Sequence, residues 1–301
     1  MSGRRIAISG ATGLVGTALA NALRANGDAV IAIGRAPRKP EDVRWDPERG
    51  EIEHDKLESL DAVVHLAGEN IADGRWTARK KAKIASSRVQ GTRLVAQTLA
   101  KLKQPPPALV SASASGFYGD RGDMIVDHTC TAGTGFLAEV CQSWEAAALP
   151  ANAVGIRICH PRIGIVLTPS GGALKRMLLP FRLGLGGRLG SGRQWVSWIS
   201  LADLVTVLMR SISDPELRGP FDAVTQNPVT NAEFTRVLAR VLHRPAFLPV
   251  PRFALRILLG EMAGPLVFTS CRVQPKRLLE LGHRFATPSL EEALVSMIGK
   301  E

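Results

Sequence analysis

The chain has 301 residues, 38 Lys+Arg against 27 Asp+Glu for a net charge of +11, with 45% hydrophobic and 22% charged residues. That balance buries a sizeable core and excludes disordered, collagen-like and disulfide-scaffold proteins, and the length suits one large domain or two. The excess positive charge is scattered: clusters at Arg35–Lys39, Arg79–Lys83 and Lys276–Arg277 are interleaved with other residues and form neither a basic-aromatic ladder nor a zinc-finger spacing. No nucleic-acid partner is expected.

The N-terminus, Met-Ser-Gly-Arg-Arg, runs directly into an apolar strand, which predicts no leader segment. Arg5–Ser9 predicts a strand, and Leu14–Ala25 a helix stopped at Gly27. Ala29–Gly34 and Ala62–Ala67 read as further buried strands. A long helix from about Thr77 to Lys103 ends at Pro105-Pro106-Pro107, and Ala108–Ser113 returns as a strand. Phe136–Ala148 is a predicted helix, and Val154–Cys159 the next strand, leading through His160-Pro161-Arg162 into Ile163–Leu167. Continuous apolar strands alternating with helices predict an α/β fold, a doubly wound parallel sheet of Rossmann type. Beyond Pro169 the texture changes to a glycine-rich stretch, Leu183–Gly192, a short strand around Trp195–Ile199, and helices at Leu201–Ser213, Asn231–Leu242 and Pro251–Met262. The division expected is a nucleotide-binding domain over 1–168, to whose sheet later segments can return, and a smaller C-terminal substrate lobe over 169–301. Phe253–Phe268 is too short and too charged to span a bilayer, so no membrane segment is expected. Cys130, Cys141, Cys159 and Cys271 form no C-x-x-C pair and no metal spacing with the histidines; no metal is expected, and free thiols suit the cytoplasm.

Gly10-Ala11-Thr12-Gly13-Leu14-Val15-Gly16 lies between the first strand and the first helix. There Gly10 allows the sharp turn, Gly13 lets a pyrophosphate approach the backbone, Gly16 permits close helix packing, and the helix N-terminus offers N–H groups to the phosphates. The second strand ends Gly34-Arg35, followed by Arg38 and Lys39, with no acid before Glu41. A ribose 2′-hydroxyl calls for an acid at that place and a 2′-phosphate for a cation, so the expected cofactor is NADP(H).

The Gly10–Gly16 spacing, His65-Leu66-Ala67-Gly68 and the strand-end run Ser111-Ala-Ser-Ala-Ser-Gly-Phe-Tyr118-Gly119 resemble the extended short-chain dehydrogenase/reductase superfamily. Leu66–Ile71, Leu178–Gly187, Gln194–Ile199, Pro228–Phe234, Leu259–Ala263 and Arg272–Leu279 narrow the resemblance to its epimerase family branch, with the associated C-terminal domain. The resemblance implies cofactor contacts from the Gly10–Gly16 loop, Arg35, Leu66, Ala67, Gly68, Arg88 and Arg162, and Lys83 joins this set. Arg88 and Arg162 could each instead serve an interior ion pair.

Members of that superfamily move a proton with a Tyr-x-x-x-Lys pair. The only tyrosine here is Tyr118, and the helix that should carry the pair has Phe136 or Leu137 at the tyrosine position and Val140 or Cys141 at the lysine position. Substitute proton carriers are Tyr118, Glu139 and Lys83, with Ser113 or Ser115 to orient a carbonyl; Tyr118 and Ser113 are the nominated catalytic pair. In the second lobe, Arg193 suits an anion, and Trp195 and Trp198 suit either a substrate ring or the core. Asp203 reads as a capping or lobe-joining acid. Two functions stand: an NADP(H)-dependent reductase or epimerase of a small carbonyl or sugar-nucleotide-like molecule, and a non-catalytic NADP(H)-binding regulatory or redox-sensing module.

Overall fold

The structure, a computed structural model, describes residues 3–299; Met1 and Ser2 of the N-terminus read above, and Lys300 and Glu301 at the end of the second lobe, lie outside them. The unbroken apolar run of β1 (Arg5–Ser9) makes it an interior strand: Ile6 and Ile8 pack on one side and Ala7 on the other, all fully buried. Such two-sided burial requires helices on both faces. The chain turns at Gly10 into α1 (Leu14–Ala25), whose buried positions Gly16, Leu19, Ala20 and Leu23 follow helical spacing. Next come β2 (Ala29–Gly34), β3 (Val43–Asp46), β4 (Glu51–Ile52), β5 (Ala62–His65), α2 (Ala78–Leu99), β6 (Ala108–Ser111), β7 (Ser113–Ala114) and α3 (Phe136–Ala146), then β8 (Arg157–Ile163). After α4 (Gly172–Arg182) and α5 (Leu201–Ser213), the chain supplies β9 (Gly219–Ala223).

These strands form a nine-stranded sheet in the order β9-β8-β6-β5-β1-β2-β3-β4, with β7 also on β8. Every pair is parallel except β3 with β4. The order reverses at β1, the crevice where doubly wound sheets bind ligands. β8 is longer than its apolar run and passes through His160-Pro161-Arg162. Its ladder joins β6 at Val110↔Cys159 and resumes on β7 at Ser113↔Arg162, lapsing around Pro161, which has no N–H to give. β9 escapes a hydrophobicity reading because Pro220 and Asp222 interrupt it.

A second core forms around the fully buried Trp198, from Leu174, Leu178 and Phe181 of α4, Phe234 and Leu238 of α6 (Asn231–Val241), and Leu290 and Leu294 of α8 (Leu290–Ile298). Between α6 and α8 lies α7 (Arg252–Leu259). Asp203, at the start of α5, accepts from the Ser200 hydroxyl, the Ala286 and Thr287 N–H groups and the Thr287 hydroxyl, so it ties the C-terminal segment to the helix, whose cap is Ser200, accepting from the Asp203 N–H. Among the described residues no helix is long and apolar enough to cross a membrane.

Candidate cofactor cleft

The glycines between β1 and α1 are held by close approach. Gly10 adopts φ +70°, and a Cβ there would lie 3.0 Å from the Ala67 nitrogen. A Cβ on Gly16 would fall 2.1 Å from the Gly10 carbonyl oxygen, so α1 reaches the turn only because this residue is glycine. No side chain caps α1 and its first turn has no acid, which leaves N–H groups and the positive end of the helix for an anion. Gly13, at the helix entry, borders open space except for the Gly10 oxygen at 3.2 Å. A cradle that side chains would fill, at a bare helix end, fits a pyrophosphate.

The facing turn, Leu66–Gly68, is pinned from below. The Ser9 hydroxyl accepts the N–H groups of Leu66 and Ala67 at 3.1 and 3.2 Å and lies 2.7 Å from His65 Nδ1. With two donors already directed at the serine oxygen, its own hydrogen goes to Nδ1, which places the imidazole hydrogen on Nε2. Burial pushes His65 down to about 4, so it stays neutral as an acceptor. Neither Ser9 nor His65 was legible as a site residue, because the pairing joins positions 56 apart in sequence.

Between these walls runs a cleft of about 580 Å³, bordered by Gly10–Gly13, Gly34, Arg35, Arg38, Leu66–Gly68 and Lys83. Leu14, Val15 and Gly16 form the first turn of α1 behind it. Arg35 and Arg38 are exposed at its rim. The acid the sequence reading passed over is Asp42. It is 5% exposed, and its carboxylate accepts from the backbone N–H groups of Ala32, Arg38 and Lys39, each at 3.0 Å. Burial acts to raise its pKa, and those N–H groups together with the Lys39 charge more than offset this and hold it below the usual value. Lys83 is ion-paired with Glu69 at 3.3 Å, and Lys80 holds the same carboxylate at 2.6 Å. Arg88 packs under Gly68, gives hydrogen bonds to the Glu69 and Ile84 carbonyls and stacks 5.1 Å from the Trp144 ring centroid.

The other nominated residues gather in a second assembly, inside the protein. Arg162, 3% exposed, holds Glu145 with two 2.9 Å hydrogen bonds, gives a third to the Tyr118 hydroxyl at 3.0 Å and stacks 3.4 Å from the Phe117 ring centroid. The Ser113 hydroxyl donates to Glu145 at 2.6 Å, and Tyr118 donates to Asp222 at 2.7 Å. Tyr118 is fully buried; burial and the neighbouring Asp222 push its phenol well above the usual range. Arg162 thus makes an interior ion pair with Glu145, one of the two roles foreseen for it. Leu137 and Cys141 share the α3 face below Gly116 and Ala114, where a Tyr-x-x-x-Lys pair would stand; burial pushes the Cys141 thiol up to about 11. Ser115 is half-buried, and Glu139 is exposed away from the cleft.

A smaller pocket of about 260 Å³ is lined by Asp120 and Asp123 from the first half of the chain and by Arg193, Arg252 and Phe268 from the second. The two tryptophans divide: Trp198 is a core anchor, whereas Trp195 stands at the margin with its indole N–H on Asp123 and Arg272 stacked 4.1 Å from its centroid.

Comparison with known proteins accounts for this arrangement. The model of the NAD dependent epimerase/dehydratase family matches residues 6–223, and a domain of unknown function, DUF1731, matches 250–297. The chain belongs to the NAD dependent epimerase/dehydratase family. Among its relatives is Epimerase family protein MT2273 of Mycobacterium tuberculosis (strain CDC 1551 / Oshkosh), 43% identical over 98% of this chain and 97% of that protein. The crystal structure of human epimerase family protein SDR39U1 (isoform 2) with NADPH is 34% identical, covers 99% of both chains and superposes with a TM-score of 0.91. A nucleoside-diphosphate sugar epimerase from Corynebacterium glutamicum is 36% identical with a TM-score of 0.83, covering 100% of this chain and 59% of that one. The Rossmann-type fold and the epimerase family branch read from the motifs are therefore this family's own, and the cleft described above lies within the matched segment.

Proposed function

We propose that the chain binds NADP(H) in the cleft and acts in the cytoplasm as a reductase or epimerase of a small carbonyl or sugar-nucleotide-like substrate. One observation carries the cofactor reading: the glycine-built cradle leads to Arg35 and Arg38, and the buried acid beside them, Asp42, is spent on backbone N–H groups. In this reading Gly10, Ala11, Thr12, Gly13, Leu14, Val15 and Gly16 take the pyrophosphate on the end of α1, and Gly34 gives the chain room to pass. Arg35 meets the 2′-phosphate, and Leu66, Ala67 and Gly68 border the other half of the dinucleotide. Bound NADP(H) supplies a hydride donor or acceptor. The proton falls to the chain's own groups. Of the residues nominated for it, Lys83 borders the cleft, while Tyr118 and Ser113 act only if the buried assembly opens. Arg88 supports the wall of the cleft through Gly68, and Arg162 holds the separate buried assembly through Glu145. Arg193, nominated for an anion, lines the smaller pocket together with Arg252, Asp120 and Asp123.

Calorimetry with NADPH and NADH tests the cofactor. NADPH should bind at least about tenfold more tightly, and Arg35→Ala should remove the preference. Equal affinity, or no binding, overturns the reading. The missing Tyr-x-x-x-Lys pair and the sealed Tyr118 favour a second reading, a non-catalytic NADP(H)-binding regulatory module. Hydride transfer from NADPH to any member of a carbonyl panel decides for the enzyme; tight binding with no transfer decides for the module.

A further inference from the structure

Asp42 is nearly buried in a stretch that is otherwise exposed from Arg35 to Glu41. One carboxylate oxygen accepts from Ala32 on β2, and the other accepts from both Arg38 and Lys39. The residue directly after it starts β3, which pairs Ile33↔Val43 and Gly34↔Arg44. The side chain therefore stitches a basic loop, containing only Pro37 and Pro40 as stiffeners, back onto the strand it has just left. The sign of the chemistry matters. In a site that selects a plain ribose, an acid near the end of the second strand offers its oxygens to the 2′-hydroxyl. Here both oxygens of Asp42 are turned onto backbone donors and neither is offered to the ribose, and the negative charge lies beneath the loop whose side chains include Arg35, Arg38 and Lys39.

We propose that Asp42 is a positioning residue for coenzyme choice: by holding the Arg35–Lys39 loop against β2 it presents the arginines to a 2′-phosphate. The inference rests on the NADP(H) reading above. Its effect is selective. Loosening the loop costs the interaction with the extra phosphate and leaves the glycine cradle, which both coenzymes use, in place.

The test is calorimetry with NADPH and NADH on Asp42→Asn and Asp42→Ala, each repeated in an Arg35→Ala/Arg38→Ala background. Asp42→Ala should weaken NADPH about tenfold and NADH less than about twofold, with Asp42→Asn intermediate. In the double-arginine background the same substitutions should leave the NADPH to NADH ratio unchanged, since neither arginine remains to be placed. Equal weakening of both coenzymes, or an undiminished effect without the arginines, makes Asp42 merely structural and overturns the proposal. A wild-type protein that does not prefer NADPH removes the cofactor reading itself, a separate failure visible before any Asp42 variant is made. Amide hydrogen exchange on the unmodified, cofactor-free protein gives a second measure should a variant fail to fold. Arg38 and Lys39 amides should exchange at least about tenfold more slowly than those of Arg35 and Ala36, whose N–H groups have no acceptor among the described residues. Equal exchange at all four overturns the proposal.

Discussion

Two polar assemblies stand on different strands of the same sheet, one at β1, β2 and β5 and the other at β7, β8 and β9, and spend their hydrogen bonds in opposite ways. Around the dinucleotide cleft, backbone N–H groups of α1 and the guanidinium groups of Arg35 and Arg38 face open space. In the assembly of Ser113, Glu145, Arg162, Tyr118 and Asp222, nearly every donor already has its acceptor within the protein. The first is built to receive an anion. The second trades solvation for internal pairing, and such a pairing stabilises only while it is complete. Residues of types that suggest catalysis can therefore lie in either, and what separates them is whether their polar atoms are still available.

Substitutions should part the two assemblies cleanly. The largest effect belongs to Arg162→Met, which strands Glu145 beside a buried serine and should cost about 3–5 kcal/mol in urea unfolding. NADPH affinity should meanwhile stay within about twofold of wild type; a large loss of affinity would join the two regions that the geometry separates.

Next comes the pH dependence set by Asp222. Burial pushes its carboxyl up to about 7, against the lowering influence of Tyr118 and Arg162. Its folded value thus lies above its unfolded one, the native state binds the proton more tightly, and stability is lost as pH rises from about 4 through 7. Asp28 and Asp42 titrate in the opposite sense, since both are held below their usual values. The clean measure is thus the difference between wild type and Asp222→Asn: the variant should gain on the order of 3 kcal/mol relative to wild type between pH 4 and 8. A constant difference across that range would show that Asp222 does not titrate there.

The smallest effect falls on the open region. Gly13→Val places a branched side chain where the cradle faces the cleft, at a residue with an ordinary extended conformation (φ −77°). Melting temperature should change little, while NADPH binding weakens about thirtyfold, roughly 2 kcal/mol. Unchanged binding in calorimetry would move the pyrophosphate off this helix end.

The cradle was legible because its parts are neighbours in sequence. A strand, three spaced glycines and a helix declare themselves within residues 5–25, and the Arg35 end of β2 needs no partner to be read. Asp42 was not legible, because its role depends on N–H groups at Ala32, Arg38 and Lys39 that only the folded loop brings round it. Arg162 showed the same limit: its fork suits a phosphate and a carboxylate equally, and its partner Glu145 lies 17 positions away on α3. Ser113 read as a strand-end hydroxyl, and nothing local to it announced Glu145 as its acceptor. Trp195 and Trp198, three residues apart, differ in burial because the short strands they occupy pair with different partners.

The path of the chain also governs how the molecule comes apart. β9, which covers the open side of β8, comes from Gly219–Ala223, after the chain has already made α4 of the second core. Arg272-Val273 then pairs with Ile125-Val126, and Asp203 grips Ala286 and Thr287. A nascent chain that has reached residue 168 thus carries a sheet whose outermost strand still exposes its hydrogen-bonding edge, a template for pairing with other chains. The edge is covered only some fifty residues later in synthesis, and the two cores are braided so that neither can detach without fraying the other.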